Sequence, residues 1–173
     1  PHYLERVTAL VNLIDVLPDD LMEMALANAL ESAKSIENEN AQARALNQLG
    51  TYLSENLLEQ ALDIALNIQN PNQRMNAIIG IIGNLVSEER LQEARENLLG
   101  CAKSIHLEFK QARALVTILP HLSQEMFIEV EQLADYFFDA FDRVSVYLAI
   151  AQNSPPENRP PLIVKAWTGL HHI

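Results

Sequence analysis

The chain has 173 residues, 49% of them apolar, with 12 basic and 23 acidic side chains, a formal charge of −11 and one cysteine. Such a chain can bury one elongated core without disulfides or a metal, while its acidity disfavours nucleic acid, whose phosphates bind clustered Lys and Arg. No apolar run approaches the roughly 20 residues that span a bilayer and nothing resembles a signal peptide, so the expected setting is the cytoplasm without membrane association.

Pro1-His2-Tyr3 leads directly into a helical pattern without an initiator Met, as in a piece of something longer. Helices are predicted near 3–16 and 20–36, separated by the polar turn Pro18-Asp19-Asp20. The next pair, 40–53 and 55–69, is joined by Ser54-Glu55-Asn56; Leu46, Leu49 and Leu53 follow i, i+3, i+7. Pro71 marks the return to helices near 72–85 and 88–105, with Ser87-Glu88-Glu89 between them. Helices near 108–122 and 124–137 follow, joined by Ser123-Gln124-Glu125, and Leu115, Ile118 and Leu122 repeat the i, i+3, i+7 spacing. A ninth helix is expected near 139–153. Ser or Asp in these turns is expected to cap the second helix of each pair, with acids in its first turn favouring its dipole. No stretch alternates with the period of a strand.

The pairs are copies. Ala-Lys-Ser-Ile occurs at 33–36 and 102–105, and Gln-Ala-Arg-Ala-Leu at 42–46 and 111–115, both 69 residues apart. A smaller unit carries an Ala-Leu-like pair at Ala9-Leu10, Ala45-Leu46, Ala77-Ile78, Ala114-Leu115 and Val146-Tyr147. Leu17, Leu53, Leu85 and Leu122 fall eight residues after the first four pairs; Ile36, Ile68, Ile105 and Phe137 fall nine before the last four. Fixed intervals of this kind mark a protein built by stacking.

Asn153-Ser154-Pro155-Pro156-Glu157-Asn158-Arg159-Pro160-Pro161 breaks the rhythm, since four prolines in nine residues cannot continue a helix. A last helix near 161–171 then carries Trp167. It either caps the stack, burying Trp167 against Tyr147 and Leu148, or begins a further repeat and exposes it; a cap is the expectation taken.

Leu49-Gly50, the Ala61 and Ala65 stripe and Pro71 resemble the Leu-Gly, Ala and Pro positions of the tetratricopeptide (TPR) pattern, whose Trp and Tyr marks are missing. The consensus, roughly Arg-x-x-Ala-Leu then Leu-x-x-Ala-Leu-x-x-Ala-x-x-Ile, is similar to degenerate TPR- or HEAT-like arrays of large bacterial, notably cyanobacterial, signalling proteins. With the repeat, the resemblance implies an all-α, right-handed α-solenoid of about five antiparallel hairpins, in units of about 34 residues paired into blocks of 69. The array would occupy residues 1–153, and residues 154–173 would be a Pro-rich turn plus capping helix of the same domain. The resemblance implies a scaffold binding a partner protein or peptide, or else a sensor segment of a larger signalling NTPase or effector. It transfers no catalytic residue and no cofactor.

Charge separates the helices. First helices hold Arg6, Arg44, Arg74, Arg113 and Arg143 against Asp15, whereas the turns and second helices hold most of the acids. In a solenoid the first helices share one wall, so a polar, mildly basic wall (concave, if TPR-like) is expected opposite an acidic one. The arginines either pair with second-helix carboxylates of neighbouring units or form a ladder of donors for a ligand. Slots sharing one first-helix face hold small and amide side chains, which nominates Asn12, Arg44, Gln48, Thr51, Asn76, Gly80, Arg113 and Thr117 as partner-binding residues. Gly80 and Gly83 are unusual inside a helix, where Gly costs roughly 1 kcal/mol relative to Ala; close packing or a closely held ligand explains them equally.

No motif of catalysis, cofactor binding or metal coordination is present. Cys101 lies among apolar neighbours as a core thiol. His106 and His121 are isolated, and His171-His172 beside the chain end reads as a solvated tail. A non-enzymatic interaction protein follows.

Overall fold

A computed structural model describes residues 2–170, apart from the side chains of Asp15, Asp19, Asp20 and Leu170. His171 and His172 thus lie outside the described residues. Ten α-helices succeed one another: α1 (Tyr3–Leu13), α2 (Asp19–Lys34), α3 (Glu39–Leu49), α4 (Glu55–Leu66), α5 (Pro71–Ile82), α6 (Glu88–Lys103), α7 (Glu108–Ile118), α8 (Phe127–Asp135), α9 (Ala140–Asn153) and α10 (Arg159–Leu170). Short 3-10 turns extend α1 and α7 and precede α8 and α10, and no strand occurs among the described residues. The chain is all-α, as its periodicity predicts.

Several helices end two to four residues before the predicted boundary, for one physical reason. The spacing tracks burial, and the apolar residue closing each second helix is buried just beyond the regular hydrogen bonding. Ile36 and Ile68 are 8% and 1% exposed, yet their amides bond the carbonyls three residues back, Ala33 and Ala65. The last turn tightens from i→i+4 to i→i+3 while its side chain stays in the core.

The capping residues also differ from expectation. No side-chain cap forms at Pro18, Ser54 or Ser123; the Ser54 hydroxyl donates instead to Glu23 at 2.7 Å. On the second helices Ser87 caps α6 weakly, its hydroxyl accepting from the Arg90 amide at 3.4 Å, and the other side-chain caps stand on first helices. Asn38 Oδ1 accepts from the Ala41 amide, Asn70 Oδ1 from Asn72 and Gln73, and Asp139 Oδ1 from Phe141 and Asp142.

The chain divides into two compact units, Pro1–Cys101 and Ala102–Ile173. In the first, α1 packs on α2 and α3, α3 on α5, and α4 on α2 and α5. Leu46, Leu49, Leu62, Ile78 and Ile81 are fully buried there. In the second, α9 packs on α7, α8 and α10, with Leu115, Ile118 and Val146 fully buried.

The α3–α5 contact is close enough to require glycine. A methyl added at Gly50 would lie 2.0 Å from the Gly80 carbonyl oxygen, and one at Gly80 would lie 2.4 Å from Asn47 Cα. Two amides complete the crossing: Asn47 donates to the Asn76 carbonyl and Asn84 to the Gly50 carbonyl, each at 3.1 Å. The equivalents of Gly50 and Gly80 one block later are Leu119 and Ala149, so this approach belongs to the first unit.

The C-terminal helix departs from expectation. Pro160 and Pro161 lie inside the first turn of α10, where the missing N–H groups have no intrahelical acceptor to lose. Leu162 and Ala166 are buried, and Gly169 approaches Val144 of α9. Trp167 is 63% exposed and Leu148 42%, so the predicted burial of Trp167 against Leu148 does not occur. Ala166 and Gly169 are the buried small residues of α10, whereas most of the indole is open to solvent.

Gly50→Ala is expected to cost about 1–3 kcal/mol by overpacking. Gly100→Ala, on an exposed part of α6 where an added methyl meets nothing within 4 Å, should gain about 0.5–1 kcal/mol. Urea titration of both variants is the check. Equal effects of the same sign would mean that helix propensity, not the crossing, governs Gly50.

Candidate functional site

Three residues before the last four Ala-Leu-like pairs sits a donor that holds the end of the preceding helix or the turn just past it. Gln42 Nε2 donates to the carbonyls of Ala33 and Lys34, both at 3.2 Å. Gln111 Nε2 does the same to Ala102 and Lys103 at 3.3 and 3.2 Å. Arg74 Nε donates to the Ile68 carbonyl and Arg143 Nη1 to that of Phe137, each at 2.7 Å. The last carbonyls of a helix have no intrahelical partner, and a cation suits the negative end of its dipole. A carboxylate at the start of the first helix adds a second tie. Glu39 accepts from the Gln69 and Asn70 amides at 2.6 and 3.1 Å, and Glu108 from the Asp139 amide at 2.7 Å.

This geometry corrects the expected arginine–carboxylate pairing. Arg74 and Arg143 are taken up by backbone carbonyls. Among the described residues, the cations that meet second-helix carboxylates are themselves on second helices or on α10. Arg90 pairs with Asp63 and Glu93, Lys103 with Glu129 at 2.5 Å, and Lys165 with Glu131 at 2.7 Å. The acidic face is therefore partly neutralised from within.

Arg44 and Arg113 behave differently. They occupy the slot one residue before the Ala-Leu pair, are exposed, and make no hydrogen bond or ion pair among the described residues. In the first unit, α3 lies against both α1 and α5, so Arg44 has Asn12 on one flanking helix and Asn76 on the other. Asn12, Gln48, Thr51 and Asn76 are all exposed. Thr8 donates weakly to Gln48 at 3.4 Å. Gly80 stands apart from this row, because Asn47 fills the space its missing side chain leaves. In the second unit, Arg113 on α7 is exposed beside Thr117, whose hydroxyl donates to the Arg113 carbonyl at 2.9 Å.

The reactive side chains are placed as structural groups. Cys101 is 4% exposed, and burial pushes its thiol above the usual value against the opposing pull of Arg74. Burial lowers the His121 imidazole below its ordinary value. Tyr147 is buried, donates to Asp135 and has Lys165 Nζ 5.5 Å from its ring centre. Burial first, then that bond, raises its phenol well above the ordinary range. No three His, Cys, Asp or Glu side chains among the described residues come together to hold a metal ion, and none of the described helices is long and apolar enough to cross a membrane.

No protein-family model, curated protein or solved structure matches the chain. Its own two blocks supply the comparison instead. Sequence reasoning missed the division of labour between the two arginine slots, although the signal was present: Gln42 and Gln111 stand where Arg74 and Arg143 stand. One slot asks for a donor of either kind, and the other carries a charge that meets no partner among the described residues.

Replacing Arg44 and Arg113 with Ala should leave the unfolding free energy within about 0.5 kcal/mol of the parent, as for surface positions without structural partners. Guanidinium titration measures this. A loss above about 1 kcal/mol would expose a structural role for the pair.

Proposed function

We propose that this protein is a non-enzymatic interaction module of α-solenoid form, whose stacked hairpins in each unit present their first helices to a partner peptide or helix. The carrying observation is the pair Arg44 and Arg113. They recur one block apart, exposed and unpaired among the described residues, while the other block-repeated donors are taken up at helix ends. A fold that needed these two charges would have engaged them. Asn12, Gln48, Thr51, Asn76 and Thr117 supply exposed hydrogen-bonding groups beside them. Consecutive packing of α1 on α3 and α3 on α5, and of α7 on α9, supports the stacked form.

The partner should be acidic or amphipathic, since unneutralised guanidinium groups steer and orient carboxylates. Partner capture followed by titration against Arg44→Glu with Arg113→Glu tests this. Affinity is expected to fall at least about tenfold, equivalent to about 1.4 kcal/mol, with the melting temperature unchanged, and the parent affinity should fall as salt rises. Glu59 and Glu129 make poor controls, because Glu59 lies beside Arg90 and Glu129 bonds Lys103. Glu31→Lys with Glu125→Lys, at exposed positions without side-chain partners, should leave binding intact. An Arg44/Arg113 variant that melts early, or that retains the partner, would contradict the assignment.

A further inference from the structure

The second 69-residue block keeps the ties at the helix ends of the first, loses the Asn38 cap at Leu107, and replaces a group of exposed amides with apolar side chains. Asn38, Asn40, Asn67, Gln69 and Asn72, all exposed, correspond to Leu107, Phe109, Tyr136, Phe138 and Phe141. Those five are 52%, 58%, 87%, 96% and 71% exposed. The frame beneath is shared: Gln42 matches Gln111, Glu39 matches Glu108, Asn70 matches Asp139 and Arg74 matches Arg143, each pair with the same bonding role. The fold is therefore satisfied by amides at these five positions. The Glu108 bond to the Asp139 amide joins the turn before α7 to the turn before α9, so the apolar side chains border one junction within the second unit.

Apolar surface left in water forgoes roughly 25 cal/mol per Å², and contiguous exposed patches mark interaction sites. Aromatic residues are also what interface centres select. The charge around this patch restricts the occupant. Glu108, Asp139 and Asp142 border it, and burial together with Asp139 and Glu108 raises the Asp142 carboxyl above its ordinary value. The nearby Arg143 is engaged by the Phe137 carbonyl, and Lys110 lies over the Phe109 ring, 5.9 Å from its centre. A second copy docking through the same patch would set three carboxylates against three, which repel. A cationic segment meets both features at once, with its charges on the carboxylates and ring faces and its apolar side chains on the rings.

We propose that Leu107, Phe109, Tyr136, Phe138 and Phe141 form a docking surface for a partner-protein segment in which Lys or Arg is interspersed with large apolar residues. This surface adjoins the first-helix wall, with Phe109 one turn before Arg113 on α7, but takes a partner of the opposite charge and does not depend on that reading.

The first block supplies the test variant, Tyr136→Asn with Phe138→Gln and Phe141→Asn. A phage library of random dodecamer peptides is selected on the immobilised 173-residue chain, and the enriched peptides are titrated against parent and variant. Peptides mixing Lys or Arg with Leu, Phe or Trp are expected to emerge and to bind the variant at least tenfold more weakly, with the melting temperature within a few degrees of the parent. Should the triple variant fail to fold, Phe138→Gln alone, at the most exposed ring, should weaken binding at least threefold. Failure of such cationic, apolar peptides to emerge, or their equal binding to both proteins, would overturn the proposal, whatever acidic peptides the Arg44 and Arg113 wall enriches. Two further measurements also oppose it: a dimer seen by sedimentation equilibrium in the parent and lost in the variant, or variant-sensitive co-sedimentation with phosphatidylcholine–phosphatidylserine vesicles, which would assign the patch to self-association or to a lipid surface.

Discussion

The return of each hairpin depends on one hydrogen bond type: a side-chain donor three residues before the Ala-Leu pair holding the carbonyls that end the preceding helix. Gln42, Arg74, Gln111 and Arg143 all do this. A helix end leaves carbonyls without intrahelical partners, and burying them unpaired would cost about 1–3 kcal/mol each. The donor satisfies them and fixes where the next helix starts, so that Leu46 or Leu115 arrives in the core. Choice of donor follows helix length. The glutamines follow the 16-residue helices α2 and α6, and the longer arginines follow the shorter α4 and α8.

That arrangement frees other positions. The slot one residue before the pair has no structural task, and there Arg44 and Arg113 keep their charge in solvent. In the first unit the Gly50–Gly80 approach brings the backbones of α3 and α5 close together, with Asn47 occupying the space beside Gly80. Amides from Asn47 and Asn84 replace side-chain packing at that crossing. The second unit achieves its α7–α9 contact with Leu119 and Ala149 instead, both buried. The same block thus tolerates two ways of crossing its helices, and what stays constant is the tie at the helix end.

The all-α fold and the helix order were legible because burial has a period. Leu46, Leu49 and Leu53, and Leu115, Ile118 and Leu122, are all in the core at the register their spacing implies. Helix ends were less legible, since the spacing reports which side chains are buried and not which amides bond. Pro160 and Pro161 looked like breakers, yet position within the first turn makes them acceptable. Trp167 was misplaced because apolarity alone does not say which face of α10 meets α9; the small residues Ala166 and Gly169 do. For the candidate site, the sequence located Arg44 and Arg113 but could not separate them from Arg74 and Arg143, whose acceptors are carbonyls that no side-chain pattern displays. The apolar patch of the second block was readable in principle, by setting Asn38, Asn67 and Gln69 beside Leu107, Tyr136 and Phe138.

The most direct measurement is the unfolding free energy of Arg74→Met with Arg143→Met, which keeps the apolar stems and removes only the donors. If the ties at the helix ends organise the hairpins, the double variant should lose about 2–4 kcal/mol, from two charge-assisted bonds of roughly 1–2 kcal/mol each after allowance for partial exposure. A double variant within about 0.5 kcal/mol of the parent would contradict the account, leaving burial of the Ala-Leu face alone to hold the fold.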